Sequence, residues 1–309
     1  MVNLEELGSS GTVECDGHDL KLTNLDKVLF PGRDGGDPVT KRDLIRYYAD
    51  IAPVMLPYLE DRAVNLNRFP DGVGTKGFWN KAVPHYAPEW IHRWTNPAAK
   101  DGDTEEYYIA DNQATLVWLA NHAAIELHPW TSPADDIGHP SYALFDIDPG
   151  TRTTWEEVLV LARLHRAALE HLGVTAFPKV TGQKGVQIWV PVVAEYSFDD
   201  TRTWVETVSK AVGATVPELV SWHWDVKSRD GRARLDFTQN ALNKTLVAPY
   251  SVRPAAGAPV SAPIDWDELD DPDLRPDRWT IRTIGGRIEA HGDLFAGALT
   301  GAQRLPKLG

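Results

Sequence analysis

Two stretches place groups that could do chemistry at the ends of apolar runs. In Tyr142–Gly150, YALFDIDPG, Asp146 and Asp148 are separated by one residue and followed at once by Pro149-Gly150. Side chains alternate along a strand, so both carboxylates point to one face and Ile147 to the other. Oxygens placed in this way can reach one cation or two neighbouring ones, and Mg²⁺ typically takes one or two carboxylates plus substrate phosphates. Two such ions about 3.5–4 Å apart stabilise both the attacking and the leaving oxygen of a phosphoryl transfer. Alone, a D-x-D before Pro-Gly is an ordinary strand exit, since short motifs match by chance. A third acid changes the balance. Asp236 lies in ARLDFTQN, another apolar run, where a carboxylate costs stability unless it is paired or coordinates a metal. The second stretch, PKVTGQKGVQIWVP, sets Thr181, Gly182, Gln183, Lys184 and Gly185 between two apolar strands. Such a turn can offer backbone N–H groups, a hydroxyl and an ammonium to phosphate. It is not a Walker loop, which needs GxxxxGK[ST], and these residues alone read equally well as a plain hairpin.

The elements that must position these groups follow from pattern. SYALFDI at 141–147 is a continuous apolar run closed by Pro-Gly, which suits a central strand. Strands are also expected at 63–69, 105–110, 175–180, 186–193 and 233–237, the last carrying Asp236. Thr40 is placed to cap a helix over 41–59 and Thr154 one over 155–172, ended by Gly173. Residues 113–125 read as a buried helix and 199–213 as another, while 31–38, PGRDGGDP, is a loop. Strands and helices mix without strict βαβ order. The expected class is therefore α+β with a largely antiparallel central sheet.

Composition sets outer limits. The 309 residues suffice for one large domain or two lobes, and 42% hydrophobic with 24% charged residues is ordinary for a soluble protein. No apolar run nears the roughly 20 residues that span a bilayer, and the acidic N-terminus lacks the apolar stretch of a signal peptide. One cysteine, Cys15, rules out an intramolecular disulfide and a cysteine-based zinc site. A cytoplasmic protein is expected. The net charge of −13 does not favour nucleic acid, but acid collects at 101–106 and 265–273 and leaves other faces free to be basic.

Taken in order, LTNLDKVLFPG, FWNKAVPHYAPEW, LANHAAIELHPW, FDIDPG, KVTGQKGVQIWVP, RLDFTQN and KTLVAPYSVR resemble the polymerase domain of bacterial LigD. That domain belongs to the archaeo-eukaryotic primase superfamily. The resemblance runs from about Leu20 to about Leu305 and points to a stand-alone member, similar to the mycobacterial Prim-PolC type. It implies a primase-polymerase fold with an RRM-like, mostly antiparallel catalytic sheet flanked by helices. A single domain over 1–309 is expected, with an N-terminal lobe at about 1–130 holding a 5′-phosphate pocket and a catalytic lobe at about 131–309. By resemblance, Asp146, Asp148 and Asp236 match the metal-binding acids that hold two divalent ions, Mn²⁺ or Mg²⁺. Thr181 and Lys184 match a Ser-Gly-x-Lys turn at the triphosphate, His128 a histidine near the incoming nucleotide, and Arg253 a phosphate-contacting arginine. Arg229 and Gln239 flank the third acid, and Arg68 matches an arginine close to the active site. Asn24, Lys27 and Lys41 match a pocket for the 5′-phosphate across a gap. Phe78 and Trp79 match an aromatic pair that stacks on template bases.

The chain departs from that pattern at Gln187, where the family usually carries histidine at a position expected to help bind triphosphate. Gln keeps hydrogen bonding but cannot be cationic. Phe-Trp replaces a Phe pair, Thr181 replaces Ser, and loop 31–38 is long enough to move Lys41 relative to Lys27. The reading is an enzyme adding NTPs or dNTPs, ribonucleotides preferred, to primer ends at DNA gaps or breaks. DNA with a downstream 5′-phosphate would be its partner, alongside a separate ATP-dependent ligase and an end-binding protein. Two other readings stand beside it: a glycosyltransferase-like enzyme using the D-x-D, which gives Lys27, Lys41 and Asp236 no role, and a non-catalytic module that binds DNA ends.

Overall fold

The computed structural model describes residues 3–308. In chain order come strands β1 (Gly11–Cys15), β2 (His18–Leu22), β3 (Val28–Phe30) and β4 (Val39–Thr40), then helix α1 (Lys41–Met55). Strands β5 (Ala63–Arg68), β6 (Phe78–Asn80), β7 (Arg93–Thr95) and β8 (Glu106–Ile109) follow, then α2 (Gln113–Asn121) and β9 (Ala124–Pro129). Next are β10 (Tyr142–Asp148), α3 (Trp155–His171), β11 (Phe177–Val180), β12 (Val186–Pro191), α4 (Phe198–Thr215) and β13 (Arg234–Leu235). Two short helices, α5 (Ile284–His291) and α6 (Gly297–Thr300), complete the chain. All pairing between these strands is antiparallel, so the α+β class read from the sequence holds. Among the described residues no helix is long and apolar enough to cross a membrane.

The chain forms two units, one of Met1–Trp130, Thr245–Val260 and Trp279–Ala290, the other of Thr131–Lys244, Ser261–Arg278 and His291–Gly309. In the first, β5 is the hub, pairing with β6, β8 and β9, and β7 adds to β8. Thr40 caps α1 as expected, in a capping box with Asp43, and Leu44, Tyr47, Tyr48 and Ile51 form its buried face. The helix stops at Met55, short of residue 59, because Pro53 and Pro57 cannot continue its hydrogen bonding and the chain tightens to a 3-10 turn at Leu56–Tyr58. The helix expected over 113–125 is also shorter. It ends at Asn121, Ala123 takes a left-handed φ of 54°, and Ala124–Pro129 returns as β9. His128 therefore lies on a strand paired with β5.

The second unit holds a four-stranded sheet in the order β11-β12-β10-β13. β10 is an inner strand, which is why YALFDID can be apolar almost throughout. Phe145 and Ile147 share one face, and the Phe145 ring meets His165 of α3 at 5.1 Å and Trp204 of α4 at 5.9 Å. Both helices start in capping boxes, Thr154 with Glu157 and Ser197 with Asp200. Helix packing on that face commits Asp146 and Asp148 to the opposite one.

β13 is only two residues long, where a strand over 233–237 was expected. The reason lies in Asp236. Its Oδ1 accepts from the Thr238 backbone N–H at 3.0 Å and the Thr238 hydroxyl at 2.6 Å, turning the chain into a 3-10 turn. The edge of β10 left open is closed by a side chain. Asn240 accepts from Leu144 N–H and donates to Leu144 C=O, each at 2.8 Å, in place of two ladder bonds.

Candidate functional site

Register brings the three acids of the second unit together. Ile147 pairs with Leu235 and Asp148 with Arg234, so Asp146 stands beside Asp236, whose backbone N–H donates to the Asp146 carbonyl at 2.8 Å. On the other side Asp146 pairs with Gln187 of β12, and Gln187 with Lys179 of β11. Directly opposed residues share a face. The sheet thus carries a row Lys179, Gln187, Asp146, Asp236, with Asp148 and Arg234 in the adjoining row. Asp146 is 6% and Asp236 5% exposed.

Crowded, buried carboxylates resist ionisation. Burial, then the Asp148 charge, pushes the Asp146 carboxyl well above its ordinary range, and the Gln187 hydrogen bond only partly offsets this. Asp148 is raised by burial and then by Asp236, against the opposing pull of Arg229 and Arg234. The local compensation is specific. Arg234 reaches Asp236 Oδ1 at 3.1 Å, Gln239 reaches its Oδ2 at 3.4 Å, and Gln187 Nε2 donates to Asp146 Oδ1 at 3.0 Å. Arg229 donates to the His223 and Trp224 carbonyls.

The TGQKG turn joins β11 to β12 beside this row. Thr181 N–H donates to Gly185 C=O at 3.0 Å, and the Thr181 hydroxyl accepts from the backbone N–H groups of Lys184 and Gly185. Thr181 thus folds the turn, and Lys184 projects into solvent. Gly182 has φ 75°. A side chain at Gly185 would place its Cβ 2.4 Å from the Ile147 carbonyl oxygen, so glycine permits the turn to lie against the D-x-D strand.

In the first unit, β9 carries His128 and, two residues before it on the same face, Glu126. Glu126 is 3% exposed and lies 2.7 Å from Arg253 Nε and 3.8 Å from His128 Nε2, while Asn67 donates to it at 2.6 Å. Burial would raise this carboxyl, but the His128 contact, the Arg253 charge and the Asn67 bond bring it below its ordinary value. Phe78 and Trp79 are both exposed, at 47% and 53%. Arg68 lies over the Phe78 ring at 5.3 Å and Trp79 meets the His128 ring edge-on at 4.9 Å. Asn24, Lys27 and Lys41 meet at the start of α1: Lys27 N–H donates to Asn24 C=O, and Lys41 N–H to Lys27 C=O. Lys27 pairs with Asp71 at 2.7 Å. Lys41 is buried, which with the Lys27 charge pushes its ammonium down to about 8.

Against this geometry, residues 40–295 match the family model described as LigD, primase-polymerase domain. The chain belongs to that family. It is 33% identical over 279 residues to the multifunctional non-homologous end joining protein LigD of Mycolicibacterium smegmatis, covering 90% of this chain and 36% of that one. It is 31% identical to the bifunctional LigD of Bacillus subtilis, covering 89% and 43%. The chain thus spans well under half the length of these curated relatives. Among solved structures, the polymerase domain of Mycobacterium tuberculosis ligase D in complex with DNA superposes with a TM-score of 0.82 at 32% identity, covering 92% of this chain and 99% of that one. As a LigD-family primase-polymerase, the chain is a DNA-directed polymerase of the nucleotidyltransferase class. Polymerase domains of this kind are metal-dependent.

The structure thus groups Asp146, Asp148, Asp236, Gln187 and Gln239 on and beside one sheet face, with Thr181 and Lys184 in the adjoining turn. In the other unit it groups His128 with Arg253 and Trp79, and Asn24 with Lys27 and Lys41. Four neighbours of these residues escaped the sequence reading: Glu126, Lys179, Arg234 and Asn240. For Glu126 a signal existed, because strand alternation in IELHP puts it on the face of His128. Lys179 and Arg234 depend on cross-strand register, which no local pattern shows.

Proposed function

We propose that the chain extends primer ends at short DNA gaps or breaks by template-directed nucleotidyl transfer, with ribonucleotides preferred. The observation that carries this is the buried acid row with a phosphate-type turn on the adjoining hairpin. A divalent cation suits the donor set. Among the described residues no three His, Cys, Asp or Glu side chains already converge on one point; Asp146 is held by Gln187, and Asp236 by Arg234 and Thr238. Yet burial and mutual repulsion raise Asp146 and Asp148, which marks a site short of positive charge, and carboxylate oxygens are the ligands hard cations prefer. Asp146, Asp148 and Asp236 would hold two such ions, Mn²⁺ or Mg²⁺. When bound, these neutralise the triphosphate and stabilise the transferring phosphoryl group.

The protein's own groups then bind and orient. Lys184 and the N–H groups of the TGQKG turn take the triphosphate, with Arg229 and Arg253 as further phosphate contacts and His128 near the nucleotide. Gln239 and Arg234 hold Asp236 in place. Trp79 and Phe78 stack on template bases, and Lys41, Lys27 and Asn24 take the 5′-phosphate beyond the gap. A new bond forms between the primer 3′ oxygen and the α-phosphorus as pyrophosphate leaves. The end-joining names of the relatives support a role in break repair; in this reading the chain acts in the cytoplasm, at the nucleoid, beside an ATP-dependent ligase and an end-binding protein. A nucleotide-sugar reading of the D-x-D leaves Asp236 and Lys41 without a task.

The test is incorporation of labelled rNTPs and dNTPs on gapped DNA, with and without a downstream 5′-phosphate, in Mn²⁺, Mg²⁺ or chelator. Expected is metal-dependent extension, faster with rNTPs and stimulated by the 5′-phosphate. DNA binding with no incorporation under any metal would overturn the reading.

A further inference from the structure

Lys179 is the one lysine of the acid row and is fully buried. Its ammonium donates to Gln187 Oε1 at 2.6 Å and to Ser261 Oγ at 2.7 Å, and sits 5.6 Å from the centre of the Trp189 ring. Gln187 is 5% exposed and has one acceptor and one donor end. With Lys179 holding the carbonyl end, the amide can only turn its NH₂ to Asp146, where Nε2 lies 3.0 Å from Oδ1. The opposite orientation would set NH₂ against an ammonium and C=O against a carboxylate. An amide's polarity is not fixed by its own shape; it is fixed by its partners.

We propose that Lys179 is a positioning residue: by locking the Gln187 amide it pins Asp146 Oδ1 in the row and thereby fixes the Asp146 carboxylate for a divalent cation. The inference rests on the metal-centre reading given above. Hydrogen bonding toward the acid and positive charge are divided here between two side chains. Gln187 donates, and the positive charge stands one strand further from the acid, on Lys179. The row Lys179, Gln187, Asp146 spans three strands, so the lock is set by sheet register rather than by a mobile side chain.

Sign separates positioning from charge. Removing a cation near three carboxylates, if charge alone mattered, would tighten Mn²⁺ binding. Removing a positioning residue weakens it, because the carboxylate is no longer held. The experiment is Mn²⁺ binding to the full chain without nucleotide or DNA, read from the free-ion electron paramagnetic resonance signal, with Asp146→Asn as background and circular dichroism as the folding check. Lys179→Met is expected to weaken Mn²⁺ binding about tenfold. Gln187→Leu, which leaves Lys179 its Ser261 and Trp189 contacts, is expected to weaken it similarly and carries the test if Lys179→Met does not fold. The double variant is expected to be no weaker than either single one, since both act through one hydrogen bond. Ser261→Ala is expected to stay within twofold of wild type. Tighter or unchanged binding in Lys179→Met, unchanged binding in Gln187→Leu, or additive losses in the double variant would overturn the proposal. Wild-type binding no stronger than the Asp146→Asn background would overturn the metal-centre reading and the proposal with it.

Discussion

Glu126 offers the sharpest test of how the first unit is held together. Its carboxylate meets Arg253 at 2.7 Å, and the two side chains are 5% and 14% exposed. Charge centres at such a contact are about 4 Å apart, worth about 4 kcal/mol at an effective dielectric near 20. Glu126→Gln keeps the shape and can still accept from Asn67, but takes away the negative charge that faces the buried Arg253 guanidinium. Breaking a buried pair from one side costs about 3–5 kcal/mol. We expect a loss near the lower end, about 3 kcal/mol, since the amide oxygen still accepts hydrogen bonds. With a urea slope of about 2–3 kcal/mol/M, that moves the unfolding midpoint down by about 1 M or more. Arg253→Met should cost a similar amount, and the Glu126→Gln/Arg253→Met double variant should cost little more than either alone. The acid limb adds a second check. Glu126 ionises more readily in the folded chain than in the unfolded one. Its contribution is therefore present above the unfolded value, about 4.3, and is lost as pH falls through the folded value. The wild-type advantage over Glu126→Gln should hold from pH 7 to about 5 and shrink below about 4. Single losses that add within about 0.5 kcal/mol, or a Glu126→Gln midpoint within 0.2 M of wild type (a tolerance of about 0.5 kcal/mol at that slope), would refute the reasoning.

Three further outcomes follow from the geometry. Asp148→Asn should cut primer extension by about 10²–10³-fold or more while raising the melting temperature at pH 7, because it removes a carboxylate whose ionisation burial and Asp236 oppose; a lowered melting temperature with extension intact would contradict both halves. Lys41→Met should abolish any preference for 5′-phosphorylated gaps, measured by anisotropy on paired substrates, and should not destabilise the chain. Since the Lys41 ammonium is pushed down to about 8, the wild-type preference should fade as pH rises through that value. Over the same range wild-type stability should gain on the variant's up to about pH 10.4, because the unfolded chain still binds the proton that the folded one has released. Gly185→Ala should slow extension and lower stability together, since its Cβ would meet the Ile147 carbonyl oxygen at 2.4 Å; an unchanged urea midpoint would show that the turn yields without disturbing β10.

What the sequence disclosed followed the elementary periods. The i, i+2 spacing of Asp146 and Asp148 put them on one face because a strand repeats every two residues, and Thr40 and Thr154 announced their helices through capping. Where the reading failed, a local signal was missing. QATLVWLANHAAIELHPW has no glycine or proline where helix gives way to strand, and the break is made by an alanine in a left-handed conformation. Asp236 looked like a strand residue because its turn is built by Thr238, a bond invisible to periodicity. Lys179 looked like any strand lysine; only its register opposite Gln187 reveals it as buried.

The shortness of β13 ties these features into one argument. Had the strand continued past Leu235, Asp236 would remain a regular ladder residue and its carboxylate would have no donors from the following turn. Ending the strand lets Thr238 and Gln239 close around the Asp236 oxygens, which offsets part of the cost of a third buried acid beside two others. The same break leaves Leu144 without a strand neighbour on the β13 side of β10, and Asn240 supplies both bonds there. One consequence follows for Asn240. Replacing it by alanine leaves a buried N–H and C=O on the central strand unpaired, each costing about 1–3 kcal/mol, although the residue touches no carboxylate. A residue whose work is to replace a missing stretch of strand should thus matter to the acid row as much as the strand itself would have done.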